Sequence, residues 1–421
     1  MVVLSELAIY DVEVELLTPA LLVERVGKRG YTSIRDRIPG QSIRGALLTV
    51  LWRLGVEQDR LSSLMVSADT ALPCGMEERG EFGHPLTAIP KIPVGKDEKD
   101  KERYAISFLG PTWLEEFSKV CEGQLDLPTM MRKAFDEHAR KIPGIGEKAY
   151  VFSLPLLEKG LGKAFKEAGK PGLFVRASYS TYLEISTAIS HVRGASEAGM
   201  IYAYEALPAG SKFRTTLTDL DGALTDAMEE LGLLKGGRAD ISIRLGRGAS
   251  RGFGHAILRA VKAGERKVKE AISRAEKALE AGSVPLLATS PISRLEVSAR
   301  GLLTVPSPPD VIEVPNLWHK NVALDISGGL RLRLAGAAGS EKRIKSYSLK
   351  AGLPRPELRG LVEGSLCLYK VEEARGDAAE LLALLELAGL DELANICLNR
   401  VKVAVEDPFP DIKGLLELLG R

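Results

Sequence analysis

The sequence lacks the features that mark a membrane or secreted protein. No apolar run in its 421 residues approaches the ~20 residues that a membrane helix needs. The first 17 residues lack a basic start followed by a long apolar stretch, so they do not resemble a signal peptide. We therefore expect a cytoplasmic protein, too long for one ordinary core and suited to two or three domains.

Paired cysteines are also absent. The chain has four cysteines, which are scattered singly at Cys74, Cys121, Cys367 and Cys397. None belongs to a C-x-x-C pair, and no histidine stands beside one at metal-ligand spacing. We expect buried thiols in a reducing compartment, with neither zinc nor any other cofactor.

The chain has almost no net charge and few side-chain amides. Its formal net charge of +1 excludes a uniformly basic coat, so any contact with a nucleic acid must come from a locally basic surface. Glutamine occurs three times and asparagine four times, whereas Glu, Arg and Lys are abundant. Few thermolabile amides among many charges suggest a thermophilic source.

Hydrophobic periodicity is clear near the start of the chain. In residues 7–17 apolar side chains alternate with glutamates, which predicts a half-buried strand. A loop and a Pro-Gly turn follow, and apolar residues then recur at helical spacing. We predict a helix with Ser42 as its N-cap and Gly55 as its stop signal.

Later segments mix strands and helices without regular βαβ units, which favours an α+β fold. The further predicted strands are residues 201–205, 213–217, 241–245, 256–261, 295–305, 324–334, 366–371 and 400–406. The further predicted helices are residues 112–122, 129–141, 155–169, 219–234, 264–281 and 376–389.

These segments predict two modules. The first spans residues 1–262 and carries a largely helical or loop insertion at about 60–170. Residues 263–283 form a charged helical connector, and residues 284–421 form the second module.

The sharpest motif is the run Arg-Leu-Gly-Arg-Gly-Ala-Ser-Arg-Gly-Phe-Gly-His at residues 244–255. Four glycines in nine positions permit positive φ and expose backbone N–H groups, and such a loop can wrap a phosphate. Phe253 can stack on a base, an interaction of ~1–3 kcal/mol. Residues 235–262, which include Arg259, contain seven Lys or Arg and one acid. The predicted RNA contacts are Arg244, Gly246, Arg247, Gly248, Ser250, Arg251, Gly252, Phe253, Gly254 and His255.

Other glycine-rich loops fit this run less well. No Gly-Lys-Ser/Thr follows it, so it is not a Walker A loop. It is not G-x-G-x-x-G either, because three residues separate Gly248 from Gly252 and extended sequence follows Gly254. A purely structural bulge remains the alternative to a phosphate-binding loop.

A second motif is Ile-Pro-Gly-Gln-Ser-Ile-Arg-Gly-Ala at residues 38–46. The start of a helix presents unpaired N–H groups and the positive end of the helix dipole, which attract phosphate. Ser42, Arg44 and Gly45 are therefore candidate RNA contacts, because Arg44 adds charge and Gly45 allows close approach. Taken alone, the motif equally indicates an ordinary capped helix.

Histidines near these motifs leave two functions open. His191 and Arg193 lie in Thr-Ala-Ile-Ser-His-Val-Arg-Gly, and His255 ends the glycine-rich run. Either histidine can serve as a general base for RNA cleavage. The alternative, which we favour, is that both histidines and Arg193 contact RNA or pack without catalysis.

Together these segments resemble the CRISPR-associated RAMP superfamily. Residues 38–46 are similar to its I-P-G-S-S-L-R-G-A signature, and residues 245–254 resemble its glycine-rich loop. Residues 187–213 are similar to the segment that precedes this loop in type III subunits. Residues 346–356, followed by Gly-Ser at 364–365, resemble the subunit that caps the crRNA 5′ tag, in its type III-D version.

This resemblance implies tandem ferredoxin-like (RRM-like) modules and a non-catalytic role in CRISPR antiviral defence. The implied ligand is the 5′ repeat tag of crRNA. The implied partners are the large polymerase-nuclease subunit and backbone RAMP subunits of a type III effector complex. The alternatives are a RAMP endoribonuclease that processes crRNA without metal, and a backbone subunit that cleaves target RNA.

The sequence departs from the family pattern in two places. Position 41 is Gln where the family usually has a small residue. The second module is expected to end with another glycine-rich loop, but residues 388–405 have lost most of the glycines. We therefore expect the second module to pack rather than to bind RNA.

Overall fold

The computed structural model describes a defined part of the chain. These residues are 4, 7–27, 30–34, 37–74, 91–96, 102–106, 113–127, 129–130, 182–189, 196–293, 323–326, 329–338, 341–344, 347–348, 353–354, 358–361, 363, 365–390, 395 and 397–405. Two compact units divide the chain. The first comprises Met1–Pro85, Arg176–Gly264 and Asn395–Cys397, and the second comprises Leu86–Val175, Glu265–Ala394 and Leu398–Arg421.

Strands and helices alternate irregularly along the described residues. The strands are β1 (Ala8–Leu16), β2 (Val23–Gly27), β3 (Gly30–Ser33), β4 (Val66–Ala68), β5 (Leu72–Cys74), β6 (Lys91–Lys96), β7 (Glu102–Ile106), β8 (Tyr182–Ile189), β9 (Ser196–Ala206), β10 (Lys212–Asp219), β11 (Leu234–Lys235), β12 (Arg238–Arg244), β13 (His255–Lys262), β14 (Ser283–Ala288), β15 (Ile292–Ser293), β16 (Ala323–Ile326), β17 (Leu330–Ala338), β18 (Glu341–Ile344), β19 (Tyr347–Ser348), β20 (Leu353–Pro354), β21 (Leu358–Leu361), β22 (Leu366–Ala374) and β23 (Val401–Val403). The helices are α1 (Gly40–Arg53), α2 (Gln58–Ser63), α3 (Trp113–Cys121), α4 (Ala223–Glu230), α5 (Gly264–Glu280) and α6 (Ala378–Ala388).

The main sheet of the first unit is antiparallel, with the order β11-β12-β13-β1-β10-β4 and β5 also paired to β10. Val12 and Val14 of β1 belong to its buried face, which packs against α1 and α4 in one hydrophobic core. Ile43 and Leu47 supply the contribution of α1 to that core. The predicted strand and the predicted helix are therefore both confirmed.

Helix α1 begins at Gly40, before the predicted N-cap Ser42. Pro39 occupies the N-cap position and no side chain caps the helix, so the predicted role of Ser42 is wrong. A Cβ atom on Gly40 would lie 2.2 Å from the carbonyl oxygen of Ala68, so the close approach of the helix start to β4 requires glycine. The predicted stop is confirmed, because Gly55 follows the helix with φ +99°.

A smaller sheet in the first unit has the order β2-β3-β9-β8. Strands β3 and β9 run parallel, and the other two pairs run antiparallel. Tyr204 and Ala206 of β9 pack with Leu21 and Phe253 in a small cluster. This cluster places β9 beside the glycine-rich run.

The second unit has its own antiparallel sheet, with the order β16-β17-β22-β14-β23. Helices α5 and α6 supply Ala275, Ala278 and Leu382 to its core. Arg274 of α5 donates to Glu386 of α6, and both side chains are largely buried. The predicted connector helix 264–281 is thus amphipathic rather than simply solvated, because one face packs within this unit.

Helix α3 also belongs to the second unit. Its Phe117 and Val120 pack with Leu366 and Leu368 of β22. This helix falls inside the region predicted as an insertion on the first module. The predicted helix 155–169, most of 129–141 and the predicted strand 295–305 lie outside the described residues.

The secondary structure confirms a mixed α+β fold with mainly antiparallel sheets. The predicted helix 219–234 is shorter, since α4 spans only Ala223–Glu230. Strands β9 and β10, predicted around one Pro-Ala-Gly turn, belong to different sheets. Among the described residues, no helix is both long and apolar enough to cross a membrane.

Candidate nucleic-acid interface

The glycine-rich run forms the connection between β12 and β13, which we call the glycine loop (residues 245–254). Its four glycines, at 246, 248, 252 and 254, all have φ between +76° and +87°. A Cβ on Gly254 would lie 1.9 Å from the carbonyl oxygen of Leu245, and one on Gly246 would lie 2.3 Å from that of Leu21. Glycine at these two positions is therefore required by the fold of the loop itself.

Many backbone amides of the glycine loop bond within the protein. Arg247 N–H donates to Leu21 at 3.0 Å, and Gly254 N–H donates to Pro19 at 2.7 Å. The amides of residues 251–253 also bond inside the loop. Within the described part of the chain, the amides of the exposed residues Ala249 and Ser250 have no hydrogen-bond acceptor. Fewer backbone amides of the glycine loop are thus available to bind a phosphate than the sequence suggests.

Two arginines of this region are held by uncharged partners. Arg244 donates to the carbonyl oxygen of Ala249 at 3.3 Å. Arg251 donates to the Tyr204 hydroxyl at 2.6 Å, and its guanidinium carbon lies 5.4 Å from the centre of that ring. Neither arginine forms an ion pair with a described residue. Both side chains belong to exposed residues, so their positive charge is presented without neutralisation.

The predicted stacking of Phe253 on a base does not fit the structure. Phe253 is only 4% exposed, and its ring centre lies 6.3 Å from that of Tyr204. A Cβ on Gly248 would lie 3.0 Å from this ring, so the loop folds tightly over it. Phe253 therefore anchors the glycine loop from below.

Arg259 was counted with the basic residues, but it lies in an ion-pair network on the open face of the main sheet. Its guanidinium bonds to Glu15 at 2.7 Å, to Glu13 at 3.4 Å and to Asp240 at 3.7 Å. These carboxylates raise the pKa of Arg259, chiefly through the Glu15 hydrogen bond. The positive charge of Arg259 is thus offset by its carboxylate partners, in contrast to Arg244 and Arg251, which have no described ion-pair partner.

The start of α1 offers less to a phosphate than predicted. The amides of Ser42 and Ile43 donate to the Pro39 carbonyl at 2.8 and 3.4 Å. Arg44 donates to the carbonyl oxygen of Val66, which begins β4, at 3.0 Å and to that of Leu64 at 3.3 Å. Arg44 thereby fixes the neighbouring chain, while Gly45 faces open space. Contact between RNA and Ser42, Arg44 or Gly45 remains a prediction.

The histidines are only partly described. His255 places Nε2 3.0 Å from the Ser242 hydroxyl, and its backbone N–H donates to Thr18 at 2.9 Å. His191 and Arg193 lie outside the described residues. Within the described residues, no cluster of His, Cys, Asp or Glu side chains has the arrangement of a metal site.

Both motifs lie at one end of the main sheet of the first unit. Leu16, the last residue of β1, pairs with Ala256, which places the glycine loop at the C-terminal end of β1. Just before α1, Ile38 bridges Ala71, which adjoins β5. Strand β5 pairs with the start of β10, at this same end. The two motifs predicted to share a ligand therefore lie at the same end of this sheet.

Sequence reasoning missed Tyr204. Nothing in its local sequence marks it, because its importance comes from contacts with Arg251 and Phe253, which lie far along the chain. The one available signal was that Tyr204 belongs to residues 187–213, which resemble the segment before the glycine loop in a known family.

The family model of the RAMP superfamily matches residues 13–257. The chain belongs to the RAMP superfamily. The match includes the start of α1 and the whole glycine loop, so both motifs of this RAMP chain lie within it. The predicted family is thus confirmed, and no curated protein sequence matches the chain.

Solved structures related to this RAMP chain are distant. It is 12% identical to a chain of the type III-B Cmr-β complex bound to cognate target RNA, with 93% of this chain and 96% of that chain covered and a TM-score of 0.40. It is 15% identical to oligomeric Cmr4 from Pyrococcus furiosus, with 61% and 99% covered and a TM-score of 0.24. At such low scores, the family assignment rests on the sequence match.

Proposed function

We propose that this RAMP chain is a non-catalytic, RNA-binding subunit of a type III CRISPR effector ribonucleoprotein. It holds the repeat-derived 5′ tag of the crRNA and contacts the large polymerase-nuclease subunit and backbone RAMP subunits. The observation that carries the proposal is the exposed glycine loop, where Arg251 in the loop and Arg244 just before it keep their positive charge. The choice of the crRNA 5′ tag as the ligand rests on membership of the RAMP superfamily and on the sequence resemblance to the tag-capping subunit.

Strand order supports two ferredoxin-like modules. In the first unit β1, α1, β4, β10, α4 and β13 follow in sequence, and the order β13-β1-β10-β4 places the last strand beside the first. In the second unit β14, β17, β22, α6 and β23 follow in sequence, and the order β23-β14-β22-β17 repeats that arrangement. Both sheets therefore have the fourth, first, third and second strand in spatial order.

The chemistry of the glycine loop suits a phosphate backbone rather than bases. Arginines and exposed amides form charge-assisted hydrogen bonds with phosphate oxygens. The aromatic ring of the loop, Phe253, is buried and is not available for stacking. The loop therefore contributes affinity and register, and base pairing by the RNA itself supplies sequence recognition.

Salt-dependent binding of repeat-derived RNA tests the proposal. Each phosphate that a cation neutralises adds about 0.7 to 0.9 to the slope of log affinity against log salt concentration. We expect the double variant Arg247→Ala/Arg251→Ala to weaken binding by about tenfold or more and to lower that slope by about 1 to 2.

A matched variant controls for the loss of two charges. Arg60→Ala/Arg214→Ala removes two exposed arginines that pair with Glu230 and Glu13. It is expected to leave the affinity and the slope close to wild type. Wild-type affinity in the Arg247/Arg251 variant would exclude the proposed function. RNA cleavage without metal that His255→Ala or His191→Ala abolishes would replace it with an endoribonuclease.

A further inference from the structure

We propose that Tyr204 is a positioning residue for RNA binding, which holds the Arg251 guanidinium in place to receive one backbone phosphate. This inference rests on the proposed function, because it assumes that the glycine loop contacts RNA. It adds a residue of β9, in the smaller sheet, to a site otherwise formed by the loop after β12.

Two contacts fix the guanidinium. The Tyr204 hydroxyl accepts a hydrogen bond from Arg251 Nη1 at 2.6 Å, and the guanidinium carbon lies 5.4 Å from the ring centre, within the range of a cation–π contact. One N–H group of the planar Arg251 guanidinium is thereby engaged by Tyr204. The remaining N–H groups of Arg251 have no described partner, so a bidentate contact with a phosphate remains available.

The tyrosine itself is firmly held. Tyr204 is 8% exposed and packs in the cluster that contains Leu21, Ala206 and Phe253. Phe253 lies against it with a ring-centre distance of 6.3 Å. The buried Phe253 thus helps to hold Arg251 near Tyr204, because it packs the glycine loop against the strand that carries the tyrosine.

A neutral partner suits this task better than a carboxylate does. Arg259 shows the contrasting case, since Glu13 and Glu15 hold its guanidinium but cancel its charge. A phenol restricts the arginine in a comparable way and leaves the full positive charge for an anion. A flexible arginine loses more conformational entropy when it binds, so fixing it beforehand raises the affinity for phosphate.

The test is a double-mutant cycle between Tyr204→Phe and Arg251→Ala, read as affinity for repeat-derived RNA and as its salt slope. Tyr204→Phe keeps the ring and removes the hydroxyl. We expect it to weaken binding about fivefold to tenfold in the wild-type background and to have no further effect once Arg251 is alanine. Residual salt slopes are expected to agree between the Arg251→Ala and double variants.

Tyr10→Phe is the matched control, because it removes another buried hydroxyl, bonded to Thr225 at 2.8 Å, in the core of the same unit. It is expected to lower the melting temperature without changing RNA affinity. An equal loss of affinity in Tyr10→Phe would mean that Tyr204→Phe acts through stability, and would overturn the inference.

The remaining outcomes separate this inference from the proposed function. Weaker binding by Arg251→Ala with unchanged binding by Tyr204→Phe would overturn the positioning role alone. Unchanged binding by Arg251→Ala would overturn the roles of Arg251 and Tyr204, and wild-type affinity in Arg247→Ala/Arg251→Ala would overturn the proposed function as well. Should Tyr204→Phe fail to fold, Arg251→Lys decides, since wild-type affinity with a lysine would show that no fixed fork is needed.

Discussion

The two units have sheets that share one strand order, and each places an arginine before the last strand of that order, yet in opposite environments. In the first unit, Arg251 precedes β13 in an exposed loop and rests on a tyrosine hydroxyl. In the second unit, Arg400 precedes β23, is 1% exposed and donates to the carbonyl oxygen of Leu387. A guanidinium enclosed in a core cannot reach a phosphate, whereas an exposed one can.

Backbone conformation follows the same division. The glycine loop reaches positive φ with glycines, which keep the chain open and permit close backbone approaches. In the second unit Asn399 adopts φ +54° as a fully buried residue, and its amide and carbonyl bond to Pro291 and Leu390. The described residues Asn399 and Arg400 of this glycine-poor stretch are therefore buried rather than exposed. The difference teaches that one strand order can carry an exposed, glycine-rich loop in one unit and buried residues at the corresponding place in the other.

The largest expected effect tests the second unit as a packing module. Glu386→Ala removes the buried partner of Arg274 and the acceptor of Val403 N–H. Because a buried charge is left without its partner, we expect the free energy of unfolding to fall by about 3–5 kcal/mol. Denaturant titration measures it, with the exposed Glu380→Ala on the same helix as a control expected to change by less than about 0.5 kcal/mol.

The RNA affinity of the folded fraction sharpens this result. Glu386→Ala is expected to leave that affinity at the wild-type value, since the glycine loop belongs to the other unit. A large loss of affinity in folded Glu386→Ala would show that the second unit takes part in RNA binding and would break the comparison.

A smaller effect separates fold from function within the glycine loop. Gly254→Ala forces a Cβ to within 1.9 Å of the Leu245 carbonyl, whereas a Cβ on Gly252 meets nothing within 4 Å. Both have positive φ, which costs alanine about 1–2 kcal/mol. We expect Gly252→Ala to show that cost alone and Gly254→Ala to exceed it by about 1–3 kcal/mol in thermal unfolding. Equal destabilisation would mean that the loop can relax around the added carbon.

The smallest expected effect concerns base identity. If Arg251 contacts only phosphate, Arg251→Ala weakens binding to repeat RNA and to a scrambled RNA of equal length by the same factor, within about twofold. Fluorescence anisotropy with both RNAs measures the two factors. A selective loss for the repeat sequence would show that this arginine reads a base edge.

Hydrophobic patterns within single elements predict most strands and helices, whereas the roles of individual side chains depend on contacts between distant residues that the sequence does not show. The start of α1 was misplaced because the proximity of Gly40 to Ala68 is invisible in the sequence. Phe253 was assigned to a base because nothing local shows that its ring meets Tyr204. The sequence counts Arg259 among the basic residues near the glycine loop because its glutamate partners lie far away along the chain on β1, although their alternation already predicts that they share one face.

The central claim is that arginines of the glycine loop hold RNA phosphates, and neutralising those phosphates tests it most directly. Affinity is measured for repeat RNA with normal 5′-tag phosphates and with uncharged methylphosphonates, using wild type and Arg247→Ala/Arg251→Ala. The account predicts that wild type loses about tenfold or more on the neutral RNA and that the variant loses much less. Equal losses in the two proteins, or none in wild type, would contradict it.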